Sequence, residues 1–410
     1  MNNSTTQSHS TGALRWAMPV LLASAPAMAL LYTAVSPVLP ELADYLGGEP
    51  GEAALMAQLV MMVPSIGLMF GGPLTGWLVD RLGARLLLIV CAGIYALTGS
   101  AGLYLDSAWS LLLSRFFLGI SAAGLGTSTL VLIGENFDAQ ARNRIVGYQS
   151  ACGALMGLLS MLLAGFLGQM AGWRLPFSFY LLGVPLLLLS MLVITERAPA
   201  SVAMGYKSKE KSSVRSLMPL YLGFIPLFAA VFTSSTQTSF LLADSGVSKP
   251  TILALVLAMS ALANTLGASG YGFLRSRLGS RYVFFLGLIA LSIGHMVLGL
   301  SRGAWLAGLG CAMTGLGAGV LTPHLVNLVL DRASESQRGR AVGVMYSALF
   351  FGSFLNPLLM APLAALLGRH VAVFGIGILL TIFALLTLLR GRWKDQSSTA
   401  AAEVSSSSVS

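Results

Sequence analysis

Charge is what this sequence has least of. Only 10% of its 410 residues are Asp, Glu, Lys or Arg, against about 25% in an average soluble domain. So few charges cannot coat a soluble globule of this length, which excludes an ordinary soluble enzyme. Disorder is excluded as well, because it requires low hydrophobicity and high charge. Cysteine is scarce too. Cys91, Cys152 and Cys311 each lie in an apolar run, with no CxxC and no histidine at ligand spacing. A disulfide framework or zinc site is therefore not expected, and the three read as small buried hydrophobes. Histidine numbers four, and no nucleophile–base or metal constellation is visible. Neither enzymatic activity, nor a metal, nor a cofactor is expected. What is abundant is apolar character: 56% hydrophobic residues and a mean hydropathy of +0.80, spread along almost the whole chain.

A bilayer core about 30 Å thick takes about 20 apolar residues per helix. Runs of that length predict an all-α polytopic membrane protein with twelve transmembrane helices. These spans 1 to 12 cover 16–40, 53–76, 86–105, 109–133, 145–168, 174–194, 217–242, 251–274, 282–301, 304–330, 341–366 and 370–389. Pro26, Pro64, Pro226 and Pro357 fall inside spans, which neighbouring helices and Ser/Thr side chains tolerate. The apolar stretch after Arg15 is longer than the core of a cleavable signal peptide, so span 1 reads as a retained helix.

Twelve spans put both chain ends on one face, and loop charge says which. Nineteen of the 24 Lys+Arg lie on the segments of that face. The opposite loops hold only Arg174, Lys249, Arg302 and Arg369, and Arg115 alone falls within a span. The positive-inside rule then places both termini in the cytoplasm, the protein lying in a bacterial inner membrane. Polar segments 1–14 and 391–410 read as disordered cytoplasmic tails. Segment 196–216, with its Lys207-Ser-Lys-Glu-Lys211 run, reads as a cytoplasmic linker between halves 15–195 and 217–390. The basic pI near 9.7 implies no nucleic acid, since the bases are dispersed without interleaved aromatics. The expected partners are the lipid bilayer and a small-molecule substrate, and a monomer is expected.

Self-similarity is the sharpest signal. The loop after span 2 reads Gly76-Trp-Leu-Val-Asp80-Arg81-Leu-Gly83-Ala-Arg85, and the loop after span 8 reads Gly272-Phe-Leu-Arg-Ser-Arg-Leu-Gly-Ser-Arg281. A shift of 196 residues superposes them, and the same shift maps Gly119 onto Gly315, Glu135 onto Asp331, Arg142 onto Arg338 and Gly147 onto Gly343. The chain is thus two homologous six-helix halves, a parallel repeat used by transporters whose site lies between the halves.

Gly76-x-Leu-x-Asp80-Arg81-x-Gly83-x-Arg85 resembles the loop 2–3 signature of the major facilitator superfamily. Leu111-x-x-x-Arg115-x-x-x-Gly119 resembles the signature on span 4 of its proton-linked members, and Trp173-Arg174 opening span 6 is also similar. Within the superfamily the resemblance is to the bacterial drug and metabolite efflux branch of proton antiporters. It covers residues 15–390. Ala84 stands where the family loop usually carries a base, Ser276 where the first half has Asp80, and Gly157 is followed by Leu158 rather than proline.

In the loop, glycines permit a tight turn, and Asp80 can sit at helix N-terminal amides or pair with an arginine. The resemblance implies a latch closing the cytoplasmic side, formed by Gly76, Asp80, Arg81, Gly83 and Arg85, with Glu135 a partner for either arginine. A buried cation marks a pathway unless it snorkels, and for Arg115 the resemblance implies a cavity-facing role. No Asp or Glu falls in the middle of a span. Coupling candidates are therefore Glu41 or Asp44, if span 1 runs longer, and His324, in a polar break with Pro323 and Asn327. Thr233-Ser-Ser-Thr-Gln237-Thr-Ser239 is an unusually polar run, and Gln58, Gln149, Asn264, Asn327 and Asn356 are single polar residues on other spans. Each either reads a substrate or bonds a neighbouring helix. As a set they suggest a cavity for a moderately polar, uncharged or anionic solute. The glycine-rich stretches Gly119–Gly126 and Gly315–Gly319 read as close-packing faces.

The expected function is a secondary transporter working by alternating access, exporting a small organic compound in exchange for protons. An uptake permease for an organic acid or similar nutrient is the alternative, and a polytopic membrane enzyme or sensor a remote one.

Overall fold

A computed structural model describes residues 5–193, 216–334 and 338–389. The expected linker 196–216, apart from Ser216, and the C-terminal tail 391–410 lie outside them. Among the described residues every regular element is helical. Span 1 runs Thr5–Thr33, breaks at a short 3-10 turn, Ser36–Val38, carrying Pro37, and resumes over Leu39–Leu46. Span 2 is Pro50–Leu82, span 3 Ala84–Gly99, span 4 Ala108–Asn136 and span 5 Ala139–Ala171. Span 6 begins as a 3-10 helix, Leu175–Leu182, and continues over Gly183–Val193. Span 7 is Met218–Asp244, span 10 Ala304–Leu330, span 11 Arg338–Leu367 and span 12 Arg369–Leu389.

Spans 8 and 9 form one unbroken stretch, Pro250–Leu300, of 51 residues. Among the described residues eleven apolar segments rather than twelve are therefore long enough to cross a membrane. A helix of that length would measure about 77 Å, far more than one crossing of about 30 Å. The break is Gly279, at φ 77°, ψ 166°, and its repeat mate Gly83 sits at φ 80°, ψ 153° between spans 2 and 3. Only glycine takes this backbone without strain, so the two stretches are the same turn, and the chain crosses twelve times. A second pair, Gly172 and Gly368, repeats at φ 79° and 80°, again 196 residues apart.

Glycines also weld helices within each half. A Cβ on Gly119 would overlap the Pro64 carbonyl of span 2, and one on Gly315 the Ser260 carbonyl of span 8. These partners are themselves repeat mates, so spans 2 and 4 pack in the same register as spans 8 and 10.

The two halves meet along a seam that is tight at one end only. We call the side holding both chain ends the tail face and the opposite side the far face. Towards the far face, Gly165 and Gly168 of span 5 abut Pro250 and Ala254 of span 8, and Met161 clusters with Leu257 and Ala258. Towards the tail face the glycines of the seam-flanking spans lack such neighbours. Gly76 and Gly147, and their mates Gly272 and Gly343, each look into open space.

Candidate functional site

The polar residues that join the halves form a ladder on the far side of the seam. Deepest in it, Gln237 of span 7 donates Nε2–H to Oε1 of Gln58 on span 2, at 3.0 Å. Both are buried, at 1% and 3% exposure, so an unmade bond here would leave a desolvated amide without a partner. Gln237 Oε1 in turn accepts from Arg369 Nη1 at 2.8 Å. Arg369 opens span 12, directly after the left-handed Gly368. Its Nε donates to Asp244 Oδ2 at 3.0 Å, and its guanidinium lies 4.8 Å from the Phe240 ring centre. Alongside, Ser36 donates to the Ser235 carbonyl at 3.1 Å, and Ser239 donates to the Ser36 carbonyl at 2.9 Å.

Nearer the middle, Ser353 of span 11 donates to Ser65 of span 2 at 2.8 Å. Tyr32 Oη shares that serine at 2.9 Å, and its ring lies 5.7 Å from Phe232 of span 7. Phe232 and Phe350 pack, half-buried, against the core of the first half. The Ser65–Ser353 and Tyr32–Ser65 bonds lie nearer the middle of the seam than the Gln58–Gln237 rung. The seal therefore ends at three hydroxyls and three aromatic rings.

Of the other polar candidates, Thr233 and Asn356 come together. Asn356 Nδ2 donates to Thr233 Oγ1 at 2.8 Å and to the Ala229 carbonyl at 2.9 Å, while its Oδ1 accepts from Thr236 at 2.6 Å. This ties span 11 to span 7 within the second half. Gln149 bonds the Leu21 carbonyl and Ser24 of span 1, within the first half. Asn327 turns back on its own helix to the Pro323 carbonyl. Asn264 is half-buried on span 8, away from these clusters.

Arg115 is placed inside the first half rather than on the seam. It is fully buried, donates Nη2–H to the Gly99 carbonyl at 2.8 Å, and sits 4.4 Å and 4.9 Å from the ring centres of Phe177 and Tyr180. Those rings supply the negative face that a carboxylate would otherwise provide. The arginine thus neither snorkels nor lines a cleft; it pins span 4 to spans 3 and 6. His324 lies inside the second half, stacked on Phe284 at 5.4 Å and edge-on to Tyr271 at 6.1 Å. Glu41 is half-buried on the short helix that ends span 1, at the repeat position of Gln237.

At the tail face Asp80 is exposed and, among the described residues, has no bonded partner. Arg81 covers the Trp77 ring at 4.1 Å, and Arg85 reaches the Met191 carbonyl of span 6 at 3.1 Å. Glu135 is bonded to neither arginine. Its repeat mate Asp331 does pair, with Arg275 at 2.6 Å.

This architecture agrees with the comparison to known sequences. The sequence pattern described as "Major Facilitator Superfamily" matches residues 21–355 and again 220–407. The chain belongs to that superfamily. As a member it is a multi-pass membrane transporter of small molecules, not an enzyme. Its relatives include the sialic acid transporter NanX of Escherichia coli, 24% identical over 83% of this chain and 85% of NanX. They also include the bacillibactin exporter of Bacillus subtilis, 25% identical over 84% of this chain and 89% of the exporter. The crystal structure of the nucleoside transporter NupG superposes with a TM-score of 0.73 at 16% identity, covering 92% of this chain and 99% of NupG. At that identity the likeness is one of fold.

Arg369, Ser65, Ser353 and Tyr32 escape a reading by residue type. Arg369 counts there only as a loop charge, and Ser and Tyr are common in apolar helices. The one available signal for Arg369 is its place after Gly368, the repeat mate of the turn glycine before Trp173-Arg174.

Proposed function

We propose that this protein is an exporter of a small organic compound, working by alternating access and exchanging it for protons. The tail face lies in the cytoplasm of a bacterial inner membrane, and the working unit is a monomer of two halves, 15–195 and 217–390. The observation that carries this reading is the one-ended seam. It is sealed towards the far face and parts towards the tail face, and the seal ends in Tyr32, Phe232, Phe350 and the Ser65–Ser353 pair. Aromatic rings with a few hydroxyls suit a mainly apolar solute with some polar groups, presented from the cytoplasmic side. The bacillibactin exporter among the relatives supports the outward direction. NanX supports the second reading, uptake of an organic acid, which the same seam serves when run in reverse.

The cytoplasmic latch belongs to the opposite state. Asp80, Arg81, Arg85 and Glu135, on a turn made by Gly76 and Gly83, are free of partners in the other half here because that side is parted. Closing it brings the seam-flanking ends together and gives Asp80 a partner. Proton coupling is assigned to Glu41, the one acid half-buried at a seam position, with His324 second.

The test starts from a deletion strain. An exported compound accumulates inside the deleted cells relative to wild type, whereas loss of growth on one carbon source shows uptake. That compound is then followed into everted vesicles with and without a pH gradient. Flux that needs the gradient supports antiport, and equal flux in both discards protons as the coupling ion.

A further inference from the structure

Beside the ladder on the far side lies a cavity of about 150 Å³, lined by Gln58, Gln237, Arg369 and the small residues Gly51, Ala54 and Ala364. Its polar lining is one cation and two amides, with no carboxylate among the lining residues. Asp244 engages the guanidinium only through Nε, on the side of the arginine away from the amides. The geometry also fixes the polarity of the chain. A guanidinium only donates, so Gln237 must turn its oxygen to Arg369 and is left to offer its NH2 to Gln58. Arg369 therefore sets the polarity of the Gln58–Gln237 hydrogen bond, one of those that join the two halves.

We infer that Arg369 is an anion subsite in the pathway. While the far face is closed, Asp244 supplies the anion. A carboxylate of the transported solute, entering the cavity, takes the Nη edge of the guanidinium in the two-point geometry that arginine and carboxylate share. That removes Gln237 Oε1 from Nη1, frees the amide to turn, and breaks its bond to Gln58, which releases this rung of the far-side ladder and loosens the far face around the bound anion. Asp244 holds Nε throughout and keeps the guanidinium aimed into the cavity. The inference rests on the seam reading above and narrows its solute class to compounds carrying a carboxylate or a comparable anionic group.

The test reads opening of the far face without any flux. Ala54 lines the cavity and is 6% exposed. In full-length protein with Cys91, Cys152 and Cys311 replaced by alanine, Ala54→Cys is reacted in nanodiscs with a water-soluble maleimide. Acetate and benzoate are the probes, and acetamide and benzamide their uncharged isosteres. The expected result is that the two carboxylates raise the labelling rate about two- to fivefold, the range a single exposed-to-half-buried ion pair commands, while the amides leave it unchanged. Arg369→Gln should abolish the response, and Arg369→Lys, a point charge without the fork, should weaken it. Gln58→Leu should raise basal labelling without any anion. Equal response to amides and carboxylates, a response that survives in Arg369→Gln, or no response in wild type overturns the subsite. Gradient-driven flux of the accumulated compound alongside any of these leaves the transport reading standing. A carboxylate response with no flux of any compound sinks the transport reading alone.

Discussion

The two halves share a register of 196 residues but are held together by different chemistry. In the first half, Arg115 is buried under Phe177 and Tyr180 and reaches the Gly99 carbonyl. Tyr180 and Tyr95 then bond the Leu30 and Ala27 carbonyls of span 1. In the second half the same position is Cys311, the ring positions are Val373 and Ile376, and Gly99 has become His295. That histidine is buried with Nδ1 2.7 Å from the Leu291 carbonyl and Nε2 3.0 Å from the Ala230 carbonyl, and its one N–H donates to one of them. At these matching positions the buried polar anchor sits on span 4 in one half and on span 9 in the other. At the tail face the asymmetry runs the other way: Arg275–Asp331 is closed in the second half, while Asp80 and Glu135 have no ion-pair partner among the described residues in the first. The duplication kept the backbone contacts, where a Cβ has no room, and let the side-chain anchors drift.

Swapping the anchors tests this most severely. Cys311→Arg would bury a cation with no rings and no prepared carbonyl, at a cost of several kcal/mol. We expect no monodisperse peak on size-exclusion chromatography; a wild-type peak would break the comparison. Next comes Arg115→Ala, which empties the site under two rings and should cost about 2–5 kcal/mol. Arg115→Met should cost less than about 1.5 kcal/mol, because it fills the volume without a charge to desolvate. Thermal unfolding in detergent distinguishes the two.

Third are the glycines. Gly119→Ala and Gly315→Ala push a methyl into a backbone carbonyl and should each cost about 1–3 kcal/mol. Gly147→Ala and Gly343→Ala face open space and should stabilise this state by up to about 1 kcal/mol, yet slow transport by obstructing closure of the tail face. Unchanged transport in both would remove that obstruction from the account. Fourth, Asp331→Asn should cost no more than about 1 kcal/mol and Asp80→Asn nothing measurable, while Asp80→Asn lowers transport at equal expression. Wild-type flux in that variant would discard the latch.

The smallest effect is acid sensitivity at the far face. Hydrogen bonds from Arg174 and then Tyr45 hold the Asp106 carboxyl below its usual value, with Arg174 Nη2 at 2.5 Å. A lowered folded-state value means the contribution is complete above the ordinary carboxylate range, about pH 4, and fades as pH falls through the lowered value. Melting temperature against pH should therefore show a small acid-side decline that Asp106→Asn lacks. Identical curves would make the contact energetically silent.

The helices, their number and the duplication were legible in the sequence because lipid leaves the backbone few options and turn glycines are irreplaceable. Gly279 shows as a turn through its repeat mate Gly83, since the helices on either side of it run on as one stretch. Residue type pointed at Gln58, Gln237, Thr233 and Asn356, which do meet partners on other helices. It misled for Arg115, because a cation in a span suggests a wet path until two aromatic rings from span 6 come to cover it. Arg369 was hidden for the opposite reason. It lies at a helix end, where charges are ordinary, and only folding turns it inward.

One feature of the seam bears on how the halves move. The contact nearest the middle is a pair of hydroxyls, Ser65 and Ser353; nearer the far face the seam adds amides and a guanidinium to the two serine bonds at Ser36. A hydroxyl keeps its hydrogen bond while the group it faces swivels, whereas planar groups lose theirs with a modest change of angle. The serine pair can thus act as a pivot while the Gln58–Gln237 rung behaves as a catch. Rotation about such a pivot opens one mouth as it shuts the other, so a lever with the serines at its fulcrum would never leave a continuous hole through the membrane.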